Sequence, residues 1–322
     1  MNAIGVDVGG TKIAAAVVSP QGKLLNEVRY PTQAVPPNRL IETIARAITE
    51  AKDGFEVGGV CVAVPGLILA VENKVLFSPN LHEIEDIPLD EEVGSRTGLS
   101  VTVENDANAA AWGEFRYGAG KDVEHMVFIT LGTGVGGGVI THGVLLRGAQ
   151  GAGGELGHVT IEATGPRCGC GNRGCLEALA SGTAIQRRAR EVANDWPDSA
   201  LGRLAIERHV LGEDVTELAQ TGDEAAISVL EETGMWLGIG LAGFVNIFNP
   251  EAIAVGGGAA RAGEFILGPA RKEVQLRSRS PSRDLVELRA ATLGPESGVL
   301  GAAALARGAD GEYVLGPSKR VM

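Results

Sequence analysis

The chain has 322 residues, 44% hydrophobic and 21% charged, enough to bury a sizeable core and too apolar for a disordered polymer. Lys plus Arg (28) against Asp plus Glu (40) leaves a formal charge of −12, which argues against a general nucleic-acid binder but not against a small anion held by backbone amides. Glycine, with 47 residues and no collagen-like period, is about twice as common as usual and belongs in turns and close backbone approaches.

The length suggests two domains. The start, Met-Asn-Ala-Ile-Gly-Val-Asp, has no basic segment or long apolar run of the signal type, so a cytoplasmic protein is expected. The longest apolar stretch, around residues 235–248, is Gly-rich and too short to span a bilayer.

Ala3–Val8 reads as a strand, Gly9-Gly10-Thr11-Lys12 as a turn and Ile13–Val18 as a second strand. A Pro20-Gln21-Gly22 turn leads to a third strand near Leu24–Tyr30. Residues 37–52 carry a helical period. Val57–Val64 reads as a buried strand ending at Pro65-Gly66, and Val101–Glu104 as another, followed by helix over Ala107–Phe115. Tyr117-Gly118-Ala119-Gly120 is a candidate domain boundary.

The second half opens like the first. Met126–Leu131 is a predicted strand, Gly132-Thr133-Gly134 a turn and Gly136–Thr141 a second strand. The unit recurs about 123 positions later, which suggests two related α/β domains or, more simply, two unrelated hairpins. Residues 176–194 and 223–248 read as helices, and Glu251–Val255 as a strand before Gly256-Gly257-Gly258 and a further helix. Residues 297–307 read as a short Ala-rich helix and 308–322 as a loose polar tail.

No P-loop pattern occurs, and G-x-G-x-x-G occurs only at 132–137 and 169–174, where no strand-turn-helix context fits. In the Asp7–Lys12 turn, consecutive amides can form an anion nest, and Asp7 can hold Mg²⁺ through water. An ordinary hairpin turn with a solvated Lys12 is the alternative. Asn105-Asp106 ends a strand that enters a helix, where a carboxylate can accept a hydroxyl proton. Helix capping accounts for one of the two residues. Cys168, Cys170 and Cys175, with His158 before them in H-x9-C-x-C-x4-C spacing, make a structural Zn²⁺ set. Spacing alone leaves His158 open as the fourth ligand. Glu155 and Glu177 flank this knuckle and either hydrogen-bond a polyol or are solvated charges. Cys61 reads as core.

Together these motifs resemble the ROK family of sugar kinases and repressors, within the actin-like ATPase superfamily. The resemblance rests on Asp7-Val8-Gly9-Gly10-Thr11-Lys12, Glu104-Asn105-Asp106-Ala107-Asn108, Leu131 to Gly138, Glu155-Leu156-Gly157-His158 and Cys168 to Glu177, in family order over nearly the whole chain. The motifs are most similar to those of the bacterial ROK glucokinases.

The resemblance implies an α/β, two-lobed actin-like ATPase (ribonuclease H-like) fold with a central cleft and a zinc knuckle. The lobes are expected at 1–119, joined by a C-terminal helix at about 297–322, and at 120–296. It implies ATP- and Mg²⁺-dependent phosphorylation of a hexose, on the 6-hydroxyl of glucose in the glucokinases. Asp106 is the implied general base. Gly66, Asn105, Asp106, Glu155, His158 and Glu177 are the implied sugar contacts. Gly9, Gly10, Thr11 and Lys12, with Gly132, Thr133 and Gly134, are the implied phosphate clamps. Asp7 and Gly256-Gly257-Gly258 complete the nucleotide site. The zinc is implied to be structural, with one His158 nitrogen on the metal and the other toward the sugar. A homodimer or homotetramer is also implied. Kinases for N-acetylglucosamine, N-acetylmannosamine, fructose or allose share these motifs. Family repressors carry a DNA-binding segment before the kinase-like part, for which the phosphate turn at residue 7 leaves no room, and the −12 charge points the same way.

Overall fold

A computed structural model describes residues 1–32, 37–69, 73–78, 81 and 84–308. The chain divides into two compact units. One comprises Met1–Tyr117, Ile140–Gly153 and the chain from Glu296 onward; the other comprises Gly118–Val139 and Gly154–Pro295. Ile140–Gly153 thus cluster with the first unit although they follow the start of the second.

In the first unit β1 (Asn2–Val8), β2 (Lys12–Val18) and β3 (Leu24–Pro31) form an antiparallel meander. Helix α1 (Pro37–Lys52) leads to β4 (Val57–Val64), a hairpin of β5 (Leu67–Leu69) and β6 (Lys74–Phe77), α2 (Leu89–Thr97), β7 (Val101–Asn105) and α3 (Asp106–Tyr117). The sheet order is β3-β2-β1-β4-β7, with β1, β4 and β7 parallel. The β5–β6 hairpin and α2 have too few periodic residues to stand out in the sequence.

The two faces of this sheet carry different side chains, because strand side chains alternate. Ile4, Val6 and Val8 share one cluster with Ile13, Val17 and the α1 residues Ile41, Ile44 and Ile48. The opposite face is small. A Cβ on Gly5 would lie 1.9 Å from the Val299 carbonyl of α11 (Ser297–Leu305), so the last helix rests directly on β1. A Cβ on Gly301 would lie 1.7 Å from the Ala109 carbonyl, so α11 and α3 also cross backbone to backbone. The helix expected over 297–322 is therefore described only to Leu305, and residues 309–322 of the expected tail lie outside the described residues.

The second sheet has the order β10-β9-β8-β11-β12. Its strands are β8 (Met126–Leu131), β9 (Val135–Thr141), β10 (Val144–Leu145), β11 (Ala252–Gly256) and β12 (Glu287–Ala290). Again an antiparallel hairpin edges three parallel strands, β8, β11 and β12. The recurring strand, glycine turn, strand unit therefore occupies the equivalent place in both sheets. The end of β9 and all of β10 fall in the first unit, while helices α4 (Leu176–Ala180), α5 (Gly182–Asp195), α6 (Ala200–Glu207), α7 (Gly212–Gln220), α8 (Glu224–Phe248), α9 (Glu264–Arg277) and α10 (Ser282–Leu285) belong to the second. The single helix predicted over 176–194 is broken at Ser181, whose side chain accepts the Ala184 N–H and caps α5. No helix among the described residues is long and apolar enough to cross a membrane.

Candidate active site

In a parallel sheet, ligands gather at the carboxyl ends of the strands. At that edge of the first sheet lie Asp7 on β1, Gly66 just beyond β4 and Asn105 closing β7, whose partner in register is Val64. Asn105 is the cap of α3: its Oδ1 accepts the Asn108 N–H at 3.0 Å. Its Nδ2 donates to the Gly66 carbonyl at 3.0 Å. Gly66 has φ 120°, and a Cβ there would fall 2.0 Å from the Phe77 carbonyl, so only glycine fits.

Asp106 is the first residue of α3, half-buried, with Oδ1 accepting the Ala107 N–H at 2.8 Å. Capping therefore falls to Asn105, and the Asp106 carboxylate lies beside it at the helix N-terminus. Glu104, two residues before Asp106, is 3% exposed and is a functional candidate that periodicity passes over.

The Asp7–Lys12 turn is tight. Gly9 N–H donates to the Lys12 carbonyl at 2.8 Å, and Thr32 Oγ1 donates to the Gly9 carbonyl at 2.6 Å. Gly10, Thr11 and Lys12 are exposed. Burial raises the Asp7 carboxyl above its usual range, and the Lys12 charge partly opposes that shift.

At the corresponding edge of the second sheet, Gly132-Thr133-Gly134 follows β8 and Gly257-Gly258 follows β11. A Cβ on Gly257 would lie 2.5 Å from the Leu131 carbonyl, so the two turns adjoin. Gly182 N–H donates to the Gly132 carbonyl at 2.8 Å and Thr183 Oγ1 to the Thr133 carbonyl at 2.7 Å. Sequence reading passed over Thr183 because this contact spans fifty residues.

His158, Cys168, Cys170 and Cys175 converge, with all four ligand atoms within 4.8 Å of one another. Cys168 Sγ lies 3.6 Å from His158 Nδ1, and Cys170 Sγ lies 3.8 Å from Cys175 Sγ. A tetrahedral zinc with bonds of about 2.3 Å to sulfur and about 2.0 Å to nitrogen requires edges of about 3.5 Å and about 3.8 Å for those pairs. The donor set therefore fits zinc in type, and these two pairs fit it in spacing. Burial pushes the Cys168 and Cys175 thiols up, while backbone hydrogen bonding from Asn172 lowers Cys170. A divalent cation offsets such a burial penalty by binding the thiolates.

With Nδ1 turned to Cys168, the other His158 nitrogen, Nε2, lies 3.9 Å from Glu155 Oε2. Partial loss of solvent raises the Glu155 carboxyl; the His158 charge opposes this and the nearby Glu177 charge adds to it. Glu177 reaches the same cluster, with Oε1 3.3 Å from Cys168 Sγ. Glu155, His158 and Glu177 are thus gathered beside the knuckle.

The chain is 42% identical to a glucokinase of Thermotoga maritima over 304 residues, 94% of this chain and 96% of that protein. It is 40% identical to a Streptomyces coelicolor glucokinase over 312 residues, covering 95% and 98% of the two chains. The crystal structure of a ROK family glucokinase from Streptomyces griseus, in complex with glucose and AMPPNP, superposes with a TM-score of 0.84 at 40% identity, covering 96% of this chain and 100% of that one. The ROK family model matches residues 3–309, and the chain belongs to the ROK family.

Proposed function

We propose that this protein is an ATP-dependent glucokinase that transfers the γ-phosphoryl group of ATP to the 6-hydroxyl of glucose. The observation that carries the reading is the start of α3, where Asn105 caps the helix and the half-buried Asp106 carboxylate stands beside it at the carboxyl end of β7. Family membership and likeness to a glucokinase that binds glucose and AMPPNP support it. The equivalent strand orders of the two sheets support a duplicated, actin-like fold.

In this reading Asp106 accepts the 6-hydroxyl proton as that oxygen attacks the γ-phosphorus, and ADP leaves. Asn105, Glu155, His158 and Glu177, with the Gly66 backbone, orient the sugar by its ring hydroxyls. The amides of Gly9 to Lys12 and of Gly132 to Gly134 stabilise phosphate oxygens, and Gly256 to Gly258 make room for the adenosine. Such transfer depends mainly on positioning and charge stabilisation. Asp7 would hold Mg²⁺ through water, and bound Mg²⁺ supplies charge neutralisation on the phosphates. His158, Cys168, Cys170 and Cys175 would hold a structural zinc ion, and the His158 ring, fixed through Nδ1, would present Nε2 to the sugar. The resemblance also implies a cytoplasmic homodimer or homotetramer, which light scattering on the purified protein measures.

A coupled ADP-release assay with ATP, Mg²⁺ and a panel of hexoses and N-acetylhexosamines tests the proposal. Strong turnover with glucose supports it. Turnover confined to fructose, allose or an N-acetylated sugar corrects the substrate, and no turnover with any sugar in zinc-replete protein overturns the enzyme.

A further inference from the structure

The site as read so far leaves out one buried ion pair. Glu104, on β7 immediately before Asn105 and Asp106, has a side chain 4% exposed, and Arg147 Nε donates to its Oε2 at 2.7 Å. Arg147 is itself only 19% exposed and comes from the loop after β10, 43 residues along the chain. Both residues belong to the first compact unit.

The other oxygen of Glu104 is equally engaged. Oε1 accepts the Asn105 N–H at 3.0 Å and Asn108 Nδ2–H at 3.1 Å. Asn108 in turn donates its backbone N–H to Asn105 Oδ1, and Asn105 Nδ2 holds the Gly66 carbonyl. The Glu104 carboxylate is therefore the anchor of a closed set of hydrogen bonds around the β7–α3 junction. Asp106 stands between Asn105 and Asn108 along the chain, at the turn that this set holds.

We infer that Glu104 and Arg147 are a positioning pair for the reacting end of the substrate, acting through Asn105 and Asp106. The inference rests on the reading of Asp106 as general base. A buried carboxylate is stable only when its charge is matched, and removing one partner of such a pair leaves the other charge uncompensated. Here the released charge stands two residues from Asp106. Glu104 would then turn toward solvent or new donors and free the Asn105 amide and the Asn108 side chain. The Asp106 carboxylate would lose its fixed place, and small misplacements of a reacting group are costly in rate.

The test is a double-mutant cycle in the purified full chain. It is read as kcat for glucose with saturating ATP and Mg²⁺, at a temperature where melting curves show every variant folded. Arg147→Met is expected to lower kcat roughly 10–100-fold while the KM for ATP stays within about twofold. Arg147→Lys, which keeps the charge, is expected to recover part of the loss. In an Asp106→Asn background, Arg147→Met should cost less than about twofold more, because residues that act through one another are not additive. A full multiplicative loss in that background, or an Arg147→Met enzyme within about twofold of wild type, overturns the inference. If Arg147→Met does not fold, Arg147→Lys must show the same non-additivity, and multiplicative behaviour there overturns it instead. Near-wild-type turnover of Asp106→Asn alone would remove the base reading, and with it this inference, a result seen before any Arg147 variant is made.

Discussion

The Glu177 carboxylate accepts the Val135 N–H at 3.1 Å. Glu177 stands two residues beyond the zinc-ligand candidate Cys175, and Val135 directly follows the Gly132-Thr133-Gly134 turn. One side chain thus ties the cysteine knuckle to the end of a turn proposed to hold phosphate. Gly134 is fitted to this contact, since a Cβ there would fall 2.3 Å from Glu177 Oε2.

Gly134→Ala should therefore displace the Glu177 carboxylate from Val135 without unfolding the protein. The expected result is a rise in KM for both ATP and glucose, each about 2–10-fold, the range set by one hydrogen bond. Steady-state kinetics with each substrate varied in turn would show it. A change in neither constant would mean that the Glu177 contact does not organise the turn.

Asp106→Asn should lower kcat by about 10²–10⁴-fold, the usual contribution of a positioned proton acceptor. Asparagine keeps the shape and the acceptor oxygen for the Ala107 N–H, so glucose should still bind in a calorimetric titration. Loss of binding together with turnover would recast Asp106 as a sugar contact rather than a base.

Cys170→Ser replaces one thiolate of the knuckle. The purified wild-type chain should carry about one zinc, measured by elemental analysis, and the variant should lose it. Glucose affinity should fall with the metal, because the His158 ring is then no longer held through Nδ1. A zinc-free variant with unchanged glucose affinity would separate the metal from the sugar site.

Asp7 makes a pH prediction. Its folded carboxyl is raised by burial above the unfolded value of 3.8. In the window between the two values the folded chain holds more protons than the unfolded one. Its contribution to stability therefore declines as pH rises through that window, and the penalty is fully present at neutral pH. Asp7→Asn should raise the melting temperature of the nucleotide-free protein at pH 7 while impairing Mg²⁺-dependent turnover. A lower melting temperature would show that Lys12 outweighs the burial.

Gly301→Ala puts a methyl group against the Ala109 carbonyl, where α11 crosses α3. Overpacking of this kind costs about 1–3 kcal/mol, and here the obstacle is backbone rather than a movable side chain. Thermal melting should show a clear drop in stability. An unchanged melting temperature would mean that the two helices separate easily.

Much of the site was legible because its signals are local. The glycine turns at 9–12 and 132–134, the Asn105-Asp106 junction and the cysteine spacing each lie within a dozen residues, where geometry follows from neighbours along the chain. Family resemblance then linked these separate motifs to one chemistry. Local reading failed where the signal was weak. The Ser181 break between α4 and α5 was missed because helical periodicity continues on both sides of the cap. Strand β12, only four residues long and partly exposed, shows too little alternation to stand out.

The amino-acid sequence by itself determined the α/β class, the order of the strands that end in glycine turns, and the three cysteines of the candidate metal site, which His158 joins only in the fold. Tertiary structure alone decided that Arg147 meets Glu104 and that Glu177 meets Val135, contacts that span 43 and 42 residues. It also decided that the small face of β1 receives α11. The physical reason is the same in each case. A charge or a glycine in the sequence does not say what it will touch, because its partner is chosen by sheet order and helix packing. Only folding brings the two to within a hydrogen bond or a van der Waals radius of each other.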